Sequence, residues 1–339
     1  MSKKLMLIFS IFMIGSLLFA ACAPAADDSD CSQEDVFCVG LVTDVGEIDD
    51  KSFNQSAWEG VLLAEKEFGA IVNYVETSDA KDYMANIQLF ADDNYDVIVT
   101  VGFAIGEATL EAAAMYPEVM FIGVDQGQWG GVVDNVAGLI FAEDKSGFLA
   151  GVLAAGLTQS NTIAAVLGTD LVPPVVAFKV GYETGAVWMN SNVTVISTFH
   201  PGGLDVAFTD PEWGATTAAQ ALEQGADVVF GAGGKTGNGA LIETAGYPGA
   251  YCIGVDSDQW ETVPEAHPCL VSSAMKLITP AVFDLLSLAR DGNFPGGNYL
   301  GEVGLAPFHD FEGVVSQNIV NKLEEARLGL EDGSISTGY

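Results

Sequence analysis

An internal repeat narrows the possible folds more than any other feature of this chain. The stretch from Asn94 to Trp129 returns, without a gap, as Gly225 to Trp260. Asp96 matches Asp227, Gly102 matches Gly233, Gly106 matches Gly237, Leu110 matches Leu241, and Tyr116-Pro117 matches Tyr247-Pro248. The match closes on Ile122-Gly-Val-Asp125-x-x-Gln-Trp129 against Ile253-Gly-Val-Asp256-x-x-Gln-Trp260. Each copy reads as an apolar run, a helix-like stretch and a second apolar run. Two such strand–helix–strand units, far apart in the chain, predict two lobes of like architecture.

The flanking sequence has the same grammar. Strands are expected at 36–43, 96–102, 120–124, 137–141, 162–168, 193–198, 226–231, 251–255 and 270–275. Several are apolar without alternation, as strands covered on both faces should be. Helix-like stretches separate them, among them 55–68, 81–92, 105–115, 146–158, 214–224 and 279–290. The expected fold class is α/β, with each lobe a doubly wound, mostly parallel sheet flanked by helices.

The amino terminus reads as an export signal over residues 1–21. Lys3 and Lys4 precede an uncharged apolar run from Leu5 to Ala21, and small residues Ala20 and Ala21 precede Cys22. This is similar to a bacterial lipoprotein signal, in which Cys22 becomes the lipidated first residue. Residues 22–36 are small and acidic and read as a tether. If Cys22 carries lipid, Cys31, Cys38, Cys252 and Cys269 remain, an even number in an exported chain. Cys31–Cys38 and Cys252–Cys269 are the pairings closest in sequence; buried free thiols are the alternative. No C-x-x-C occurs, which leaves zinc ribbons and thioredoxin chemistry unsupported.

Charge excludes whole classes of partner. With 12 Lys+Arg against 46 Asp+Glu, the formal charge is −34. Nucleic acid needs clustered cations, so this charge rules out most binding to it and argues against adhesion to anionic lipid through surface charge. At 49% hydrophobic, the chain has ample material for a core.

Polar residues collect where the expected strands end. Asp44, Gly102-Phe103, Asp125, Gly231-Ala-Gly233-Gly234, Asp256 and Lys276 each follow an apolar run. In open parallel sheets ligands gather beyond the carboxyl ends of strands, so these residues predict a cleft between the lobes. Carboxylates suit the vicinal hydroxyls of a sugar, and Lys276 adds a donor. Phe53, followed by Asn54, opens a helix just beyond the first strand, and Phe230 lies next to the glycine-rich turn. Two rings on opposite lobes suit a flat heterocycle. A phosphorylated ligand is disfavoured, because carboxylates outnumber lysines there. Asp49 and Asp50 have a simpler reading as acids favouring the next helix start.

Other motifs fail. Gly231-Ala-Gly-Gly234-Lys235-Thr236 is not a P-loop, since the first glycine of that pattern falls on Val229. His200, His267 and His309 are scattered, and neither a metal-binding spacing nor a G-x-S-x-G elbow occurs. Thr43-Asp-Val-Gly-Glu-Ile-Asp-Asp50 is similar to the calcium-binding start of nucleoside hydrolases, but Val42 stands where its first Asp belongs.

The segment Val39-Gly-Leu-Val-Thr-Asp44-Val-Gly-Glu-Ile-Asp-Asp50-Lys-Ser-Phe53-Asn-Gln-Ser-Ala-Trp58-Glu-Gly60 resembles the opening signature of the basic membrane protein (BMP) family. These are purine-nucleoside-receptor-like lipoproteins, the substrate-binding components of ABC transporters. Val101-Gly-Phe103, Leu149-Ala-Gly-Val-Leu-Ala-Ala155, Gly225-Ala-Asp-Val-Val-Phe230-Gly-Ala-Gly-Gly234, Ile253-Gly-Val-Asp256-Ser-Asp-Gln259 and Ser272-Ser-Ala-Met-Lys276 extend the likeness over residues 38–330. The resemblance implies a two-lobed type I periplasmic-binding-protein fold with a hinge. Its lobes would be 37–141 with 277–303, and 142–276 with 304–339. It further implies no enzymatic activity, no cofactor and no metal. The ligand would be a nucleoside of the adenosine, guanosine or inosine class, and the partners an ABC permease and its ATPase. A lipid anchor on Cys22 would hold a monomer at the outer face of the membrane. By resemblance Asp44 would bond the base, Phe53 and Phe230 would stack on it, and Asp256 and Lys276 would hold ribose hydroxyls. Asn54, Gly102, Phe103, Asp125 and Gly233 are further expected lining residues. Lys235 stands where relatives often have a small residue. A sensor of the same fold and a metal-dependent nucleoside hydrolase are the alternatives.

Overall fold

A computed structural model describes residues 31–339. The expected signal, Cys22 and most of the tether lie outside the described residues. Among the described residues, no helix is long and apolar enough to cross a membrane.

Twelve strands are described: β1 (Cys38–Val45), β2 (Ile71–Thr77), β3 (Val97–Val101), β4 (Met120–Val124), β5 (Val136–Ile140), β6 (Thr162–Leu167), β7 (Thr194–Phe199), β8 (Val228–Ala232), β9 (Tyr251–Asp256), β10 (Leu270–Lys276), β11 (Gly297–Leu300) and β12 (Val303–Leu305). Between and after them run α1 (Phe53–Phe68), α2 (Tyr83–Ala91), α3 (Gly106–Met115), α4 (Glu143–Leu157), α5 (Pro173–Met189), α6 (Pro211–Glu223), α7 (Gly234–Ala245), α8 (Gln259–Thr262), α9 (Ile278–Arg290) and α10 (Gln317–Asp332).

The strands form two sheets, ordered β11-β5-β4-β3-β1-β2 and β12-β10-β9-β8-β6-β7. Pairing is parallel except between β10 and β12. The two orders superpose position by position. The repeated sequence segment is β3-α3-β4 in one lobe and β8-α7-β9 in the other, so the repeat is architectural. Chain crossings between the lobes fall just after β5, just after β10, and between β11 and β12.

Unalternating apolar runs make the central strands. β3 is buried along its whole length, and so is β8. In the first lobe Leu41, Val99 and Ile122 pack under α1 and α9, while Val42, Ile98 and Phe121 pack on the opposite face. The second lobe is built around α4 and α5, which lie in close contact. A Cβ on Gly151 would fall 2.0 Å from the Tyr182 carbonyl, and one on Gly185 2.0 Å from that of Phe148. Only glycines let these backbones approach so closely. Disulfides close Cys31–Cys38 and Cys252–Cys269.

The differences from expectation have local causes. β2 is an edge strand with exposed Asn73, Tyr74 and Glu76, so its apolar signal is broken. β11 and β12 are too short to announce themselves. α7 contains Gly234, Gly237 and Gly239, poor helix formers that the packing overrides. β1 was expected at 36–43 but runs on through Val45, so Asp44 belongs to the strand itself.

Candidate functional site

Asp44, Phe53, Asn54, Gly102, Phe103, Asp125, Gly233, Asp256 and Lys276 line one cavity between the lobes. The topology explains the convergence. β9 and β10 end on Asp256 and Lys276, β4 ends just before Asp125, and β1 carries Asp44 at its penultimate position. All of these strands deliver their carboxyl ends to the interlobe face.

Lys276 is the electrostatic centre. Its side chain is almost wholly buried, and its Nζ lies 2.6 Å from Asp125 Oδ2, 3.6 Å from Glu143 Oε1 and 3.6 Å from Asp256 Oδ1. The ammonium stands 4.6 Å from the centre of the Phe53 ring. Burial alone would lower the lysine pKa, but the three acids hold it above the ordinary range. Burial also raises Asp256, against the pull of Lys276. Glu143 is pushed up to about 7 by burial, and Lys276 opposes the shift. The two repeat-related acids share a backbone feature: φ is 62° at Asp125 and 63° at Asp256. A left-handed residue just at the strand end is uncommon for a side-chain-bearing residue.

Asp44 titrates abnormally. Burial, then Asp50 and Asp125, push its carboxyl up to about 8, although the Ala104 backbone N–H pulls the other way. At neutral pH it is therefore largely an uncharged acid, able to donate one hydrogen bond and accept another. Gly102 makes room for it: φ is 111°, and a Cβ there would lie 1.9 Å from Asp44 Oδ2. Asp50, raised by burial to about 6, accepts from the backbone N–H groups of Ser52, Asn54 and Gln55. Its role is to hold the start of α1 and thereby Phe53.

Two acceptors remain open. Asn54 Oδ1 and Asp125 Oδ1 are buried without a hydrogen-bond partner among the described residues. Asn54 is tied by its Nδ2 to the Glu47 carbonyl, and Asp125 by its Oδ2 to Lys276. Buried acceptors without donors are costly, and a ligand bearing hydroxyl or N–H groups would satisfy both.

Phe230 does not fit the expectation. It is fully buried in the second lobe, stacked on Tyr182 at 5.0 Å and edge-on to Phe178 at 6.1 Å. Within β8 its side chain takes the face covered by α4 and α5 and is spent on the core. The rings that reach the cavity from this lobe are Phe178, on α5, and Phe208. Neither was predicted: the helical pattern over 173–189 that carries Phe178 begins with two prolines and includes several β-branched residues, and Phe208 lies in the loop between β7 and α6. Phe178 brings a ring to the cavity from the second lobe, as Phe53 does from the first.

The loop from Glu47 to Ser52 straps the lobes together. Lys235 pairs with Glu47 and lies 3.7 Å from Asp49. Asn238 donates to the Asp50 carbonyl at 2.8 Å, and Gln259 and Thr262 donate to the Lys51 carbonyl. Ser52 donates to Asp256 Oδ2 at 3.1 Å. Lys235 is thus a latch at the cleft mouth. Asp49 is drawn toward Lys235, and Asp50 is spent on the backbone N–H groups at the start of α1.

The histidines stay outside the cleft. His200 packs on Trp213, while His267 and His309 stack on Trp260. Asp258, Glu261 and His309 bring potential ligand atoms within 4.8 Å of one another, but His309 Nε2 is already paired with Asp258 at 2.8 Å.

Comparison with known proteins matches residues 37–305 to a family model described as Bmp, ABC transporter substrate-binding protein PnrA-like. The chain belongs to the Bmp family. Its members are substrate-binding proteins of ABC transporters, so this Bmp-family chain binds a small ligand outside the cytoplasm and is not an enzyme. It is similar to the CD4+ T-cell-stimulating antigen of Listeria monocytogenes, 29% identical over 97% of this chain and 96% of that one. It is also similar to the ABC transporter nucleoside-binding protein BmpA of Lactococcus lactis, 30% identical over 88% of each. Among solved structures, an ABC transporter solute-binding protein of Aeropyrum pernix matches with a TM-score of 0.78 and 26% identity, over 88% of this chain and 92% of that one. The two-lobed fold of this Bmp-family protein is that of the periplasmic binding proteins.

Proposed function

We propose that this protein is a lipid-anchored receptor that binds a purine nucleoside between its lobes and presents it to an ABC permease. The observation that carries this reading is the buried cluster of Lys276 with Asp125, Asp256 and Glu143, set against aromatic rings and two open acceptors. A pentose suits the cluster, because vicinal hydroxyls donate to carboxylates and accept from an ammonium. A purine suits the space between Phe53 and the Phe178–Phe208 side, where stacking tolerates different bases. Asp44, uncharged at neutral pH, offers both a donor and an acceptor to a base edge. The relative from Lactococcus lactis is named as nucleoside-binding, which supports the same reading.

The lobes of the receptor are residues 37–141 with 277–303, and 142–276 with 304–339, and Cys22 carries the anchor. Ligand contacts made from both lobes at once favour the closed arrangement, so binding shifts the population toward it. Calorimetric titration tests the reading. Inosine, guanosine and adenosine should each be tried against free ribose and free hypoxanthine. At least one nucleoside should bind stoichiometrically and be recovered unchanged, with the separate halves at least tenfold weaker. Equal affinity for ribose alone would replace the nucleoside with a sugar.

A further inference from the structure

A second cavity opens beside the cleft, and Phe103, Asp125 and Pro174 line both. Its walls are mainly apolar: Leu110 and Trp129 come from the first lobe, Phe141 from the crossing after β5, and Pro173 and Leu204 from the second lobe. Leu110 is 45% and Trp129 80% exposed. Apolar surface of this kind gains free energy when a ligand covers it. The charged side chains in the lining, Glu107, Glu143 and Asp125, are all acidic. Asp125 stands on the shared wall, more than nine-tenths buried, with Oδ2 on Lys276 and Oδ1 unpartnered among the described residues.

We propose that this annex is a subsite of the same cleft, and that it takes an uncharged apolar substituent carried at the 5′ position of the nucleoside. The inference deepens the nucleoside reading and rests on it. With the pentose against Lys276, Asp125 and Asp256, and the base toward Asp44 and Phe53, a group leaving the far side of the sugar passes Asp125 and Phe103 into the annex. A thioether or short alkyl chain would cover Leu110 and Trp129. A phosphate there would meet Glu107, Glu143 and Asp125, and neither Lys276 nor Lys235 is among the residues lining the annex. The ligand class is therefore nucleosides with a neutral 5′ extension, and 5′-nucleotides are excluded.

The test compares four ligands on the full chain by calorimetry. The parent is whichever of adenosine, guanosine and inosine binds most tightly, and it is set beside its 5′-monophosphate and its 5′-deoxy-5′-methylthio and 5′-deoxy-5′-butylthio derivatives. The butylthio derivative should bind about tenfold more tightly than the parent, and the methylthio derivative should fall between them. The monophosphate should be at least tenfold weaker. Trp129→Ala and Leu110→Ala, at exposed positions outside the nucleoside cleft, should each cut the butylthio gain to about threefold and leave the parent unchanged. A butylthio derivative no tighter than the parent overturns the inference while the nucleoside reading stands, and so does a gain that survives in both variants. If none of the three nucleosides binds, the nucleoside reading falls and takes the annex with it.

Discussion

Asp125 and Lys276 come from different lobes and meet at 2.6 Å, with both side chains almost wholly buried. The pair joins one lobe to the other at the floor of the cleft, and it leaves the second oxygen of Asp125 free for a ligand. In the proposed receptor, closure and recognition depend on the same two residues.

Removing the cation should expose that dependence. Lys276→Met leaves Asp125, Asp256 and Glu143 buried without a counter-ion, which should cost about 3 kcal/mol of stability near neutral pH. Nucleoside affinity should fall at least a hundredfold. The stability loss should shrink as the pH is lowered, because protonating the acids removes the uncompensated charge. Thermal melts at pH 5 and pH 8 check this; an equal loss at both would contradict it.

The raised carboxyl groups fix the sign of the pH dependence. Asp44, Glu143 and Asp50 are raised to about 8, 7 and 6, so the folded chain keeps protons that the unfolded chain has already released. Their contribution is fully present below the unfolded carboxyl pKa of about 4 and is lost as the pH rises through about 6 to 8. The melting temperature should be higher at pH 5 than at pH 9, and Asp44→Asn should flatten the upper part of that slope. An unchanged slope in the variant would remove Asp44 from the account.

Phe230 and Phe178 show what the sequence could and could not reveal. Runs of apolar residues and the repeat made both sheets and the strand-end acids readable, because burial on two faces and a polar strand end leave signals in the chain itself. The face that a residue such as Phe230 takes within a fully buried strand leaves none, since both faces are apolar. Phe178 reaches the cavity from a helix whose prolines and β-branched residues mask its period. The Lys235 latch was equally hidden, since its partners, Glu47 and Asp49, lie far away in sequence.

Gly102 is a position where a single methyl group should matter. Gly102→Ala would place Cβ against the Asp44 carboxylate in a backbone conformation that alanine resists, costing about 1–3 kcal/mol. Because the clash falls on Asp44, nucleoside affinity should drop as well. Calorimetry and thermal melts on the variant read both, and wild-type affinity in a stably folded variant would show that Asp44 is not needed.

The latch at the cleft mouth predicts a kinetic effect. Lys235→Ala should speed ligand release about two- to fivefold, as loss of a partly exposed ion pair implies. The difference from wild type should fade at high salt, where the pair is screened. Stopped-flow release rates at low and high ionic strength measure it, and a salt-independent difference would point to packing instead.

Native mass spectrometry of the protein purified under gentle conditions bears most directly on the central claim. The account predicts a bound species whose mass matches a nucleoside, lost when Lys276 is replaced by methionine. A bound species of another class, retained by that variant, would contradict it.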